Sequence, residues 1–335
     1  GMSAIAEVLL QLGHQISGSD ISSSDNTKKL SEMGVKILFG HKESNLFDID
    51  IDIVVYSSAI KETNPEIIYS KQNKITLMKR AEMLAEIMQL KHGVAIAGTH
   101  GKTTTTSMLA TILLECSIDP TFIIGGIVKN IGGHARVGKG EWFVAEADES
   151  DGTFLLLNPI YSAITNIDLD HLDYYKNEEK LKESFIKFAN KIPFYGTCAI
   201  NADNKKLFNL IKFFKKPYIT FGINNNEIKL DYEAKNCVYE NNKARYNLYY
   251  KGKNVATIEI ALPGNHNVLN SLAAISMAHL IGLDFNLISD ALCKFKGVGR
   301  RFESIYKNDK IEIIDDYAHH PTEIVETIRA VKDMR

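Results

Sequence analysis

Residues 93–107, GVAIAGTHGKTTTTS, constrain the fold more than any other stretch of the chain. Residues 94–97 form an apolar run that is too short for a helix and follows a glycine, which predicts a buried strand. A loop with two glycines comes next, and a helical pattern of apolar residues follows it. A strand, a glycine loop and a helix N-terminus together hold nucleotide phosphates, because their backbone N–H groups turn toward the anion.

The loop carries the side chains that phosphate chemistry needs. Lys102 is expected to reach the β- and γ-phosphates, and the Thr103 hydroxyl to face Mg²⁺. The first glycine of the general pattern G-x-x-x-x-G-K-[ST] falls on Ile96, so the glycine spacing is shorter here. An ordinary strand-to-helix turn is the alternative, but the flanking pattern favours a nucleotide site. We predict that ATP contacts Gly98, Thr99, His100, Gly101, Lys102, Thr103 and Thr104.

Length and composition narrow the class of protein. A chain of 335 residues predicts two or three domains with ample core, and its formal net charge of −2 gives no basic footprint for nucleic acid. No apolar run approaches the length of a membrane span, and no signal-peptide pattern opens the chain. The four cysteines lie far apart, as free thiols of a reducing compartment do. We expect a cytoplasmic protein without nucleic-acid or membrane partners.

Alternating strand and helix patterns before the loop predict a first α/β domain over residues 1–79. Asp20 ends a predicted strand about twenty residues after Gly1, where dinucleotide-fold domains place an acid against a ribose. A plain turn cap is an equal alternative for Asp20. Ser57 and Ser58 follow the strand predicted at residues 51–56, at the end where open parallel sheets bind ligands.

An acidic stretch, EADESD at residues 146–151, follows the strand predicted at residues 142–145. Such a stretch is commonly a solvated turn, but beside a phosphate loop its hard oxygens favour Mg²⁺ coordination, with Glu146 first. His171 lies among three aspartates after the strand predicted at residues 161–165. A histidine in that position favours a ligand or positioning role over a structural one.

The predicted secondary structure changes twice in the last third of the chain. Residues 228–261 alternate in the manner of antiparallel hairpins. A long helix predicted at residues 268–281 carries Asn267 and Asn270 one turn apart, either as N-cap and surface residues or as amides that read an adenine edge. Residues 299–335 predict two strands and a helix. This segment is too short to bury a core alone, so it is either incomplete or packs on the second domain.

Six stretches together resemble the Mur ligase family of bacterial peptidoglycan synthesis, and they occur in the family's order. They are residues 98–104 (GTHGKTT), 146–151 (EADESD), 165–173 (TNIDLDHLD), 264–270 (GNHNVLN), 299–303 (GRRFE) and 315–321 (DDYAHHP). The resemblance implies an α/β protein of three domains: a Rossmann-like domain at residues 1–79, a central P-loop ATPase at residues 80–298 with a parallel sheet and a small antiparallel sheet, and the start of a Rossmann-like domain at residues 299–335.

The resemblance also implies a reaction of cell-wall biogenesis that serves cell shape and division. The lactyl carboxylate of UDP-N-acetylmuramate attacks the γ-phosphate of ATP, and the amine of L-alanine displaces phosphate from the acyl phosphate. A family relative that attaches a preformed peptide is one alternative, and a nucleotide-binding module without turnover is another. A plain P-loop ATPase or kinase would leave the GRRFE and DDYAHHP stretches unexplained.

Residue roles follow from the same resemblance. Lys102 would stabilise the γ-phosphoryl group, Thr103 and Glu146 would hold Mg²⁺, and His171 would serve a second metal near the sugar carboxylate. ATP would also meet Asn267 and Asn270 at its adenine, and Arg301 and Asp316 from the third domain. The UDP-sugar would contact Gly1, Ser3, Asp20, Ser57, Ser58 and Asn166. A monomer or weak homodimer is expected.

Members of the family differ from this chain at its two ends. They carry a strand and a glycine-rich turn before the position of Gly1, and they continue well beyond residue 335. The resemblance therefore implies damaged UDP-sugar and amino-acid sites, with little ligase turnover by this chain alone.

Overall fold

A computed structural model describes residues 1–47, 50–170, 172–223, 228–308 and 310–334. The helices in these residues are α1 (Met2–Gln11), α2 (Asp25–Glu32), α3 (Pro65–Gln72), α4 (Arg80–Gln89), α5 (Lys102–Glu115), α6 (Leu172–Tyr175), α7 (Glu178–Ala189), α8 (Lys205–Phe208), α9 (Asn265–Ile281), α10 (Phe285–Leu292) and α11 (Pro321–Asp333). Short 3-10 helices lie at Glu43–Leu46, Thr153–Leu156 and Ile211–Phe213. No helix of this described part is both long and apolar enough to cross a bilayer.

The strands of the same residues are β1 (Ser17–Asp20), β2 (Lys36–Phe39), β3 (Ile53–Tyr56), β4 (Thr76–Lys79), β5 (His92–Ala97), β6 (Thr121–Val128), β7 (Gly133–Arg136), β8 (Trp142–Glu146), β9 (Tyr161–Ile164), β10 (Thr197–Asn201), β11 (Tyr218–Ile223), β12 (Tyr232–Glu240), β13 (Lys243–Tyr250), β14 (Lys253–Ile260), β15 (Glu303–Lys307) and β16 (Glu312–Asp315). Within the described chain, ten of them form one sheet in the order β14-β13-β12-β11-β10-β9-β5-β8-β6-β7.

The sheet is parallel from β6 to β12 and antiparallel at both edges. Strands β12, β13 and β14 pair antiparallel, and β7 pairs antiparallel with β6. The resemblance implied a parallel sheet and a small antiparallel sheet. The structure has both and joins them in one sheet, because β11 pairs with β12 in parallel and β12 then continues into the antiparallel hairpins. The mixed α/β fold is as predicted.

Strand β5 lies at the centre of the core, between β8 and β9. Its residues alternate between two hydrophobic clusters: Val94 and Ile96 join one, and Ala95 and Ala97 the other. The first cluster is covered by α5 and α9, and the second contains residues of α4 and α7. Because both faces are covered, the strand is buried and without polar side chains from Gly93 to Ala97, which is why its sequence forms an unbroken apolar run after His92.

The N-terminal region consists of two separate parallel pairs in the described residues, β1 with β2 and β3 with β4. Helix α1 buries Ala4, Ile5 and Val8 in the same cluster as α4. At the other end of the chain, β15 and β16 form an antiparallel pair that precedes α11. The domain boundaries predicted from the sequence, after residues 79 and 298, stay a prediction.

The structure differs from the sequence patterns in three places. The amphipathic pattern of residues 204–214 predicts a single helix, but the structure divides it into α8 and the 3-10 helix Ile211–Phe213. The Asn190 side chain bonds the Phe213 carbonyl and the Lys215 N–H, which fixes the chain in a non-helical path there. Strand β7 was not predicted, and α9 begins at Asn265 rather than at residue 268.

Candidate nucleotide-binding site

The phosphate loop joins β5 to α5 through two glycines in the left-handed region. Gly98 has φ +133° and Gly101, the N-cap of α5, has φ +83°. A Cβ on Gly98 would lie 2.1 Å from the Thr165 hydroxyl oxygen, and one on Gly101 would lie 2.2 Å from the Asn270 Oδ1. Both positions therefore require glycine for conformation and for space.

The loop is fastened to the chain that follows β9. The Asn166 amide donates to the His100 carbonyl at 3.0 Å and accepts the His100 N–H at 2.9 Å. The Thr165 hydroxyl donates to the same carbonyl at 2.5 Å. Asn166 was predicted to contact the UDP-sugar. Its amide serves the loop backbone in this structure, and the sugar contact stays a prediction.

Lys102 begins α5, and its ammonium group lies over the loop. Its Nζ donates to the carbonyl oxygens of Gly98 and Thr99 at 2.7 and 3.1 Å, and it lies 2.8 Å from the Glu149 Oε2. The Glu149 side chain is 1% exposed, and burial raises the pKa of its carboxyl against the opposing charge of Lys102. Sequence reasoning did not single out Glu149. The sequence showed only that Glu149 belongs to the acidic stretch at residues 146–151, and nothing there distinguished it from the neighbouring acids.

The predicted magnesium ligands Thr103 and Glu146 lie side by side. The Thr103 hydroxyl donates to the Glu146 Oε2 at 3.0 Å, and the Gly125 N–H donates to the Glu146 Oε1 at 2.6 Å. Burial raises the pKa of the Glu146 carboxyl, and the Gly125 N–H and the Lys102 charge oppose that shift. One hydroxyl and one carboxylate oxygen form the hard ligand set that Mg²⁺ prefers.

Asn267 and Asn270 are buried inside α9, whose N-cap is Gly264. The alternative that they are N-cap and surface residues is therefore wrong. Asn267 donates to the Pro263 carbonyl at 2.8 Å, and Asn270 donates to the Asn267 Oδ1 at 3.4 Å. Since Asn270 also packs on Gly101, the pair braces the loop from the side of α9. Contact with an adenine stays a prediction.

The GRRFE and DDYAHHP stretches contact each other. The Asp316 carboxylate accepts the N–H groups of Phe302 and Ala318, both at 2.8 Å, so it fixes the backbone of both stretches. Arg300 and Phe302, on either side of Arg301, have φ of +58° and +49°. The Arg301 guanidinium lies 5.3 Å from the centre of the Tyr317 ring.

The residues predicted to contact the UDP-sugar fall on separate elements. Gly1 is the N-cap of α1, and Ser3 lies in the first turn of that helix. Gly1 lies beside the Arg80 side chain, which is 3.8 Å from the Asp148 carboxylate. Asp20 ends β1 and accepts the Ser22 N–H at 3.2 Å, as a turn cap does. Ser57 and Ser58 directly follow β3. The prediction for His171 falls outside the described residues.

Comparison with known proteins agrees with this arrangement. The profile of the Mur ligase family, catalytic domain, matches residues 1–92, and that of the Mur ligase middle domain matches residues 96–278. The UDP-N-acetylmuramate–L-alanine ligase of Syntrophotalea carbinolica is 46% identical over 330 residues, which are 98% of this chain and 71% of that protein. The enzyme of that name from Aquifex aeolicus is 46% identical over 336 residues, covering 100% of this chain and 72% of its own.

Solved structures show the same likeness. The crystal structure of UDP-N-acetylmuramate-alanine ligase from Thermotoga maritima superposes with a TM-score of 0.86 at 30% identity and covers 99% of this chain and 75% of its own. A murein peptide ligase from Psychrobacter arcticus superposes with a TM-score of 0.83 at 29% identity, over 99% of this chain and 73% of its own.

Proposed function

Since this chain belongs to the Mur ligase family, we propose that it is an ATP-dependent ligase that joins L-alanine to the lactyl carboxylate of UDP-N-acetylmuramate in peptidoglycan synthesis. One observation carries the proposal. A phosphate loop with Lys102 in place lies beside the Thr103–Glu146 pair, in a chain 46% identical to ligases of that name.

The reaction has two steps. A carboxylate oxygen of the sugar attacks the γ-phosphorus of ATP, the bond to ADP breaks, and an acyl phosphate forms. The amine of L-alanine then attacks the acyl carbon, phosphate leaves, and the nitrogen loses a proton as the amide forms. Phosphoryl transfer needs charge neutralisation and in-line positioning more than a covalent nucleophile, so the protein contributes donors and geometry.

Lys102 supplies the cationic donor for the first step. In the structure its ammonium group donates hydrogen bonds to two loop carbonyls and to Glu149. We infer that Lys102 transfers its hydrogen bonds to the γ-phosphoryl group when ATP binds. Glu149 then lies behind the lysine as a buried carboxylate that keeps the ammonium group oriented.

Thr103 and Glu146 fit a magnesium ion. They offer two hard oxygens 3.0 Å apart at the first turn of α5, next to the loop that would hold the phosphates. When bound, Mg²⁺ neutralises phosphate charge. His171 as the ligand of a second metal remains a sequence-based proposal.

The other assignments are proposals of the same kind. Asn267 and Asn270 would face the adenine, and Arg301 and Asp316 would reach ATP from the C-terminal segment. Gly1, Ser3, Asp20, Ser57, Ser58 and Asn166 would receive the UDP-sugar. Support comes from the position of Gly1 beside Arg80, close to the 146–151 stretch. We further propose the boundaries at residues 79 and 298, and a monomer or weak homodimer.

The test is phosphate release with ATP, UDP-N-acetylmuramate and L-alanine, with each substrate omitted in turn. It is made on this chain and, where the reading frame extends beyond it, on the longer polypeptide. We expect release that requires all three substrates in at least one of the two. Release with a preformed peptide but not with L-alanine would assign the peptide-adding activity instead. Nucleotide binding without release in either polypeptide would favour a binding module.

A further inference from the structure

A second group of potential ligands lies at the His100 end of the phosphate loop. His100, Asp168 and His320, the histidine cluster, place one ligand atom each within 4.8 Å of one another. The His100 Nε2 is 3.6 Å and the His320 Nδ1 is 3.8 Å from the Asp168 Oδ2. Their side chains are 13%, 24% and 18% exposed for His100, Asp168 and His320. The three come from the loop, the chain after β9 and the N-terminus of α11.

The hydrogen bonds of His100 leave one nitrogen facing the cluster. Its Nδ1 lies 3.1 Å from the Glu323 Oε1 and donates to that carboxylate, so the neutral ring carries its lone pair on Nε2. That Nε2 is buried and makes no hydrogen bond to any residue of the described chain. A lone pair aimed at the Asp168 oxygen is repulsive by itself. A cation between the two atoms removes the repulsion and satisfies the buried nitrogen.

His320 also donates through its outer nitrogen, but its inner nitrogen already accepts a hydrogen bond. Its Nε2 lies 3.3 Å from the Leu169 carbonyl and donates to it, while its Nδ1 accepts the Thr322 N–H at 3.3 Å and so carries a lone pair. In both histidines the outer N–H is therefore held by a carboxylate or a backbone carbonyl. Metal-binding histidines are oriented by the same outer partners.

Asp168 retains capacity for a ligand bond. Its Oδ2 accepts the Thr322 hydroxyl at 2.6 Å, and its Oδ1 accepts the Leu169 N–H at 2.8 Å. A carboxylate has about four lone-pair positions, so these two bonds do not exhaust it. Lys206 lies 3.6 Å from the Oδ1, on the side away from the oxygen that faces the histidines.

We propose that the histidine cluster binds a divalent transition-metal ion of the zinc class, with His100 Nε2, His320 Nδ1 and Asp168 Oδ2 as ligands. Imidazole nitrogens and one carboxylate suit Zn²⁺ and Co²⁺, whereas Mg²⁺ selects oxygen. Ligands about 2.0–2.2 Å from a tetrahedral ion lie roughly 3.3–3.5 Å apart. The separations of 3.6 and 3.8 Å from the Asp168 Oδ2 need a contraction of only a few tenths of an ångström, and all three ligand atoms lie within 4.8 Å of one another.

The bound ion would tie the C-terminal segment to the phosphate loop, because only His320 comes from that segment. The ion replaces the cap bond from the Thr322 N–H, whose length of 3.3 Å makes it a weak one. Metal binding is measured without nucleotide, so the site is tested separately from the proposed ligase activity. An ion that binds only the assembled cluster stabilises the docked position of α11 by mass action, with or without nucleotide.

Co²⁺ reports the site directly, through the visible absorption bands of a low-symmetry nitrogen and oxygen environment. The protein is titrated with Co²⁺ in the absence of nucleotide, and then with Zn²⁺ or a large excess of Mg²⁺. We expect a saturable spectrum that Zn²⁺ abolishes and Mg²⁺ leaves in place. Absence of a saturable spectrum overturns the proposal.

Variants locate the ion. Changing an outer partner of a metal ligand costs about 10- to 100-fold in metal affinity. Removal of a ligand itself should cost at least as much, so we expect His320→Gln to weaken Co²⁺ binding at least tenfold. His319→Gln is the matched control, since His319 is the adjacent histidine, is 66% exposed and lies outside the cluster. His320 also caps α11, so Asp168→Asn, of nearly the same shape, provides a second measurement with the same expected loss. Unchanged affinity in either variant contradicts the assignment.

Discussion

The two ends of the phosphate loop differ in what they offer a cation. At the α5 end, Thr103 and Glu146 present oxygen atoms only. At the other end, His100 and His320 present imidazole nitrogens around one carboxylate oxygen of Asp168. Oxygen ligands select Mg²⁺, and imidazole selects ions such as Zn²⁺. The two ends of one short loop therefore differ in the chemistry of their potential ligands, although each contains one carboxylate.

The two ends also differ in how they are held together. Glu146 ends β8, the sheet neighbour of β5, and Thr103 lies in the first turn of α5, so the central sheet and the helix that follows β5 position both. The histidine cluster needs α11, which buries Ala330 but leaves Ile324 and Ile328 exposed. Thr103 and Glu146, the oxygen pair, are consequently part of the core architecture. The position of the histidine cluster depends instead on where the C-terminal segment lies.

A substitution in the shared loop should damage both ends at once and have the largest effect. Gly98→Ala places a Cβ 2.1 Å from the Thr165 oxygen at φ +133°. Left-handed strain and overpacking each cost about 1–3 kcal/mol, so we expect about 2–6 kcal/mol less stability toward unfolding. Nucleotide binding should fall by more than about a hundredfold, or roughly 2.7 kcal/mol. Calorimetric titration and denaturant unfolding measure the two effects.

Gly252→Ala separates strain from collision. Gly252 has φ +82° in the β13–β14 turn, and no heavy atom lies within 4 Å of the position that an added Cβ would take. The variant should lose about 1–3 kcal/mol of stability and no nucleotide affinity. Equal losses of affinity in the two variants would show that the loop is sensitive to global stability, not to its own shape.

Lys102→Ala should affect nucleotide binding but spare the histidine cluster. Loss of a preorganised charge contact costs about 2–4 kcal/mol, so the affinity for a non-hydrolysable ATP analogue should fall about 30- to 1,000-fold. The change also leaves Glu149 buried without its cation, which is destabilising in itself. Calorimetry on the variant measures the first effect, and thermal unfolding measures the second.

The double variant Lys102→Ala with Glu149→Gln distinguishes the two effects. Because the amide removes the uncompensated charge, stability should recover relative to Lys102→Ala, while nucleotide affinity should stay low. Recovery of affinity would mean that Lys102 acts by neutralising Glu149 and makes no direct contact with phosphate.

Sequence reasoning reached the oxygen pair because its signals are local. The apolar run, the two glycines and Lys102-Thr103 lie within a few residues, and Glu146 ends a strand whose apolar residues identify it. Both residues follow strands whose carboxyl ends meet at one edge of a parallel sheet, and the family resemblance paired them as ligands of one ion. The structure places the two side chains in hydrogen-bond contact.

The histidine cluster could not be reached in that way. His100 and His320 are far apart in sequence, and each lies in a stretch that the family resemblance already explained. Their proximity depends on how the C-terminal segment docks, which no local periodicity encodes. Glu149 was missed for a related reason, because its ion pair with Lys102 depends on the path of the chain after β8. Asn267 and Asn270 were placed correctly on a helix, but the start of α9 at Asn265 buries them.

Glu146→Gln sharpens the comparison by removing charge from the oxygen pair alone. The amide keeps the shape of Glu146 but is a poor magnesium ligand, so binding of the ATP analogue at saturating Mg²⁺ should weaken about 10- to 100-fold. Co²⁺ affinity at the histidine cluster should stay within about twofold, because distant sites behave independently. Asp151→Asn is the control, since Asp151 belongs to the same acidic stretch but bonds Thr153 instead. A similar loss in the control would show that the effect comes from the total charge of the acidic stretch and not from Glu146 as a ligand.

Thr103→Val should give the smallest effect, because it removes one neutral oxygen and keeps the branched shape. The hydroxyl donates to Glu146 at 3.0 Å, and its methyl group packs near Gly126. Loss of one such bond costs about 0.5–1.5 kcal/mol, so magnesium-dependent affinity for the analogue should fall by about tenfold at most. Thr103→Ser keeps the oxygen and should stay close to the parent protein. If the valine and serine variants bind equally, the hydroxyl does not contact the ion, and Glu146 alone provides the oxygen side of the comparison.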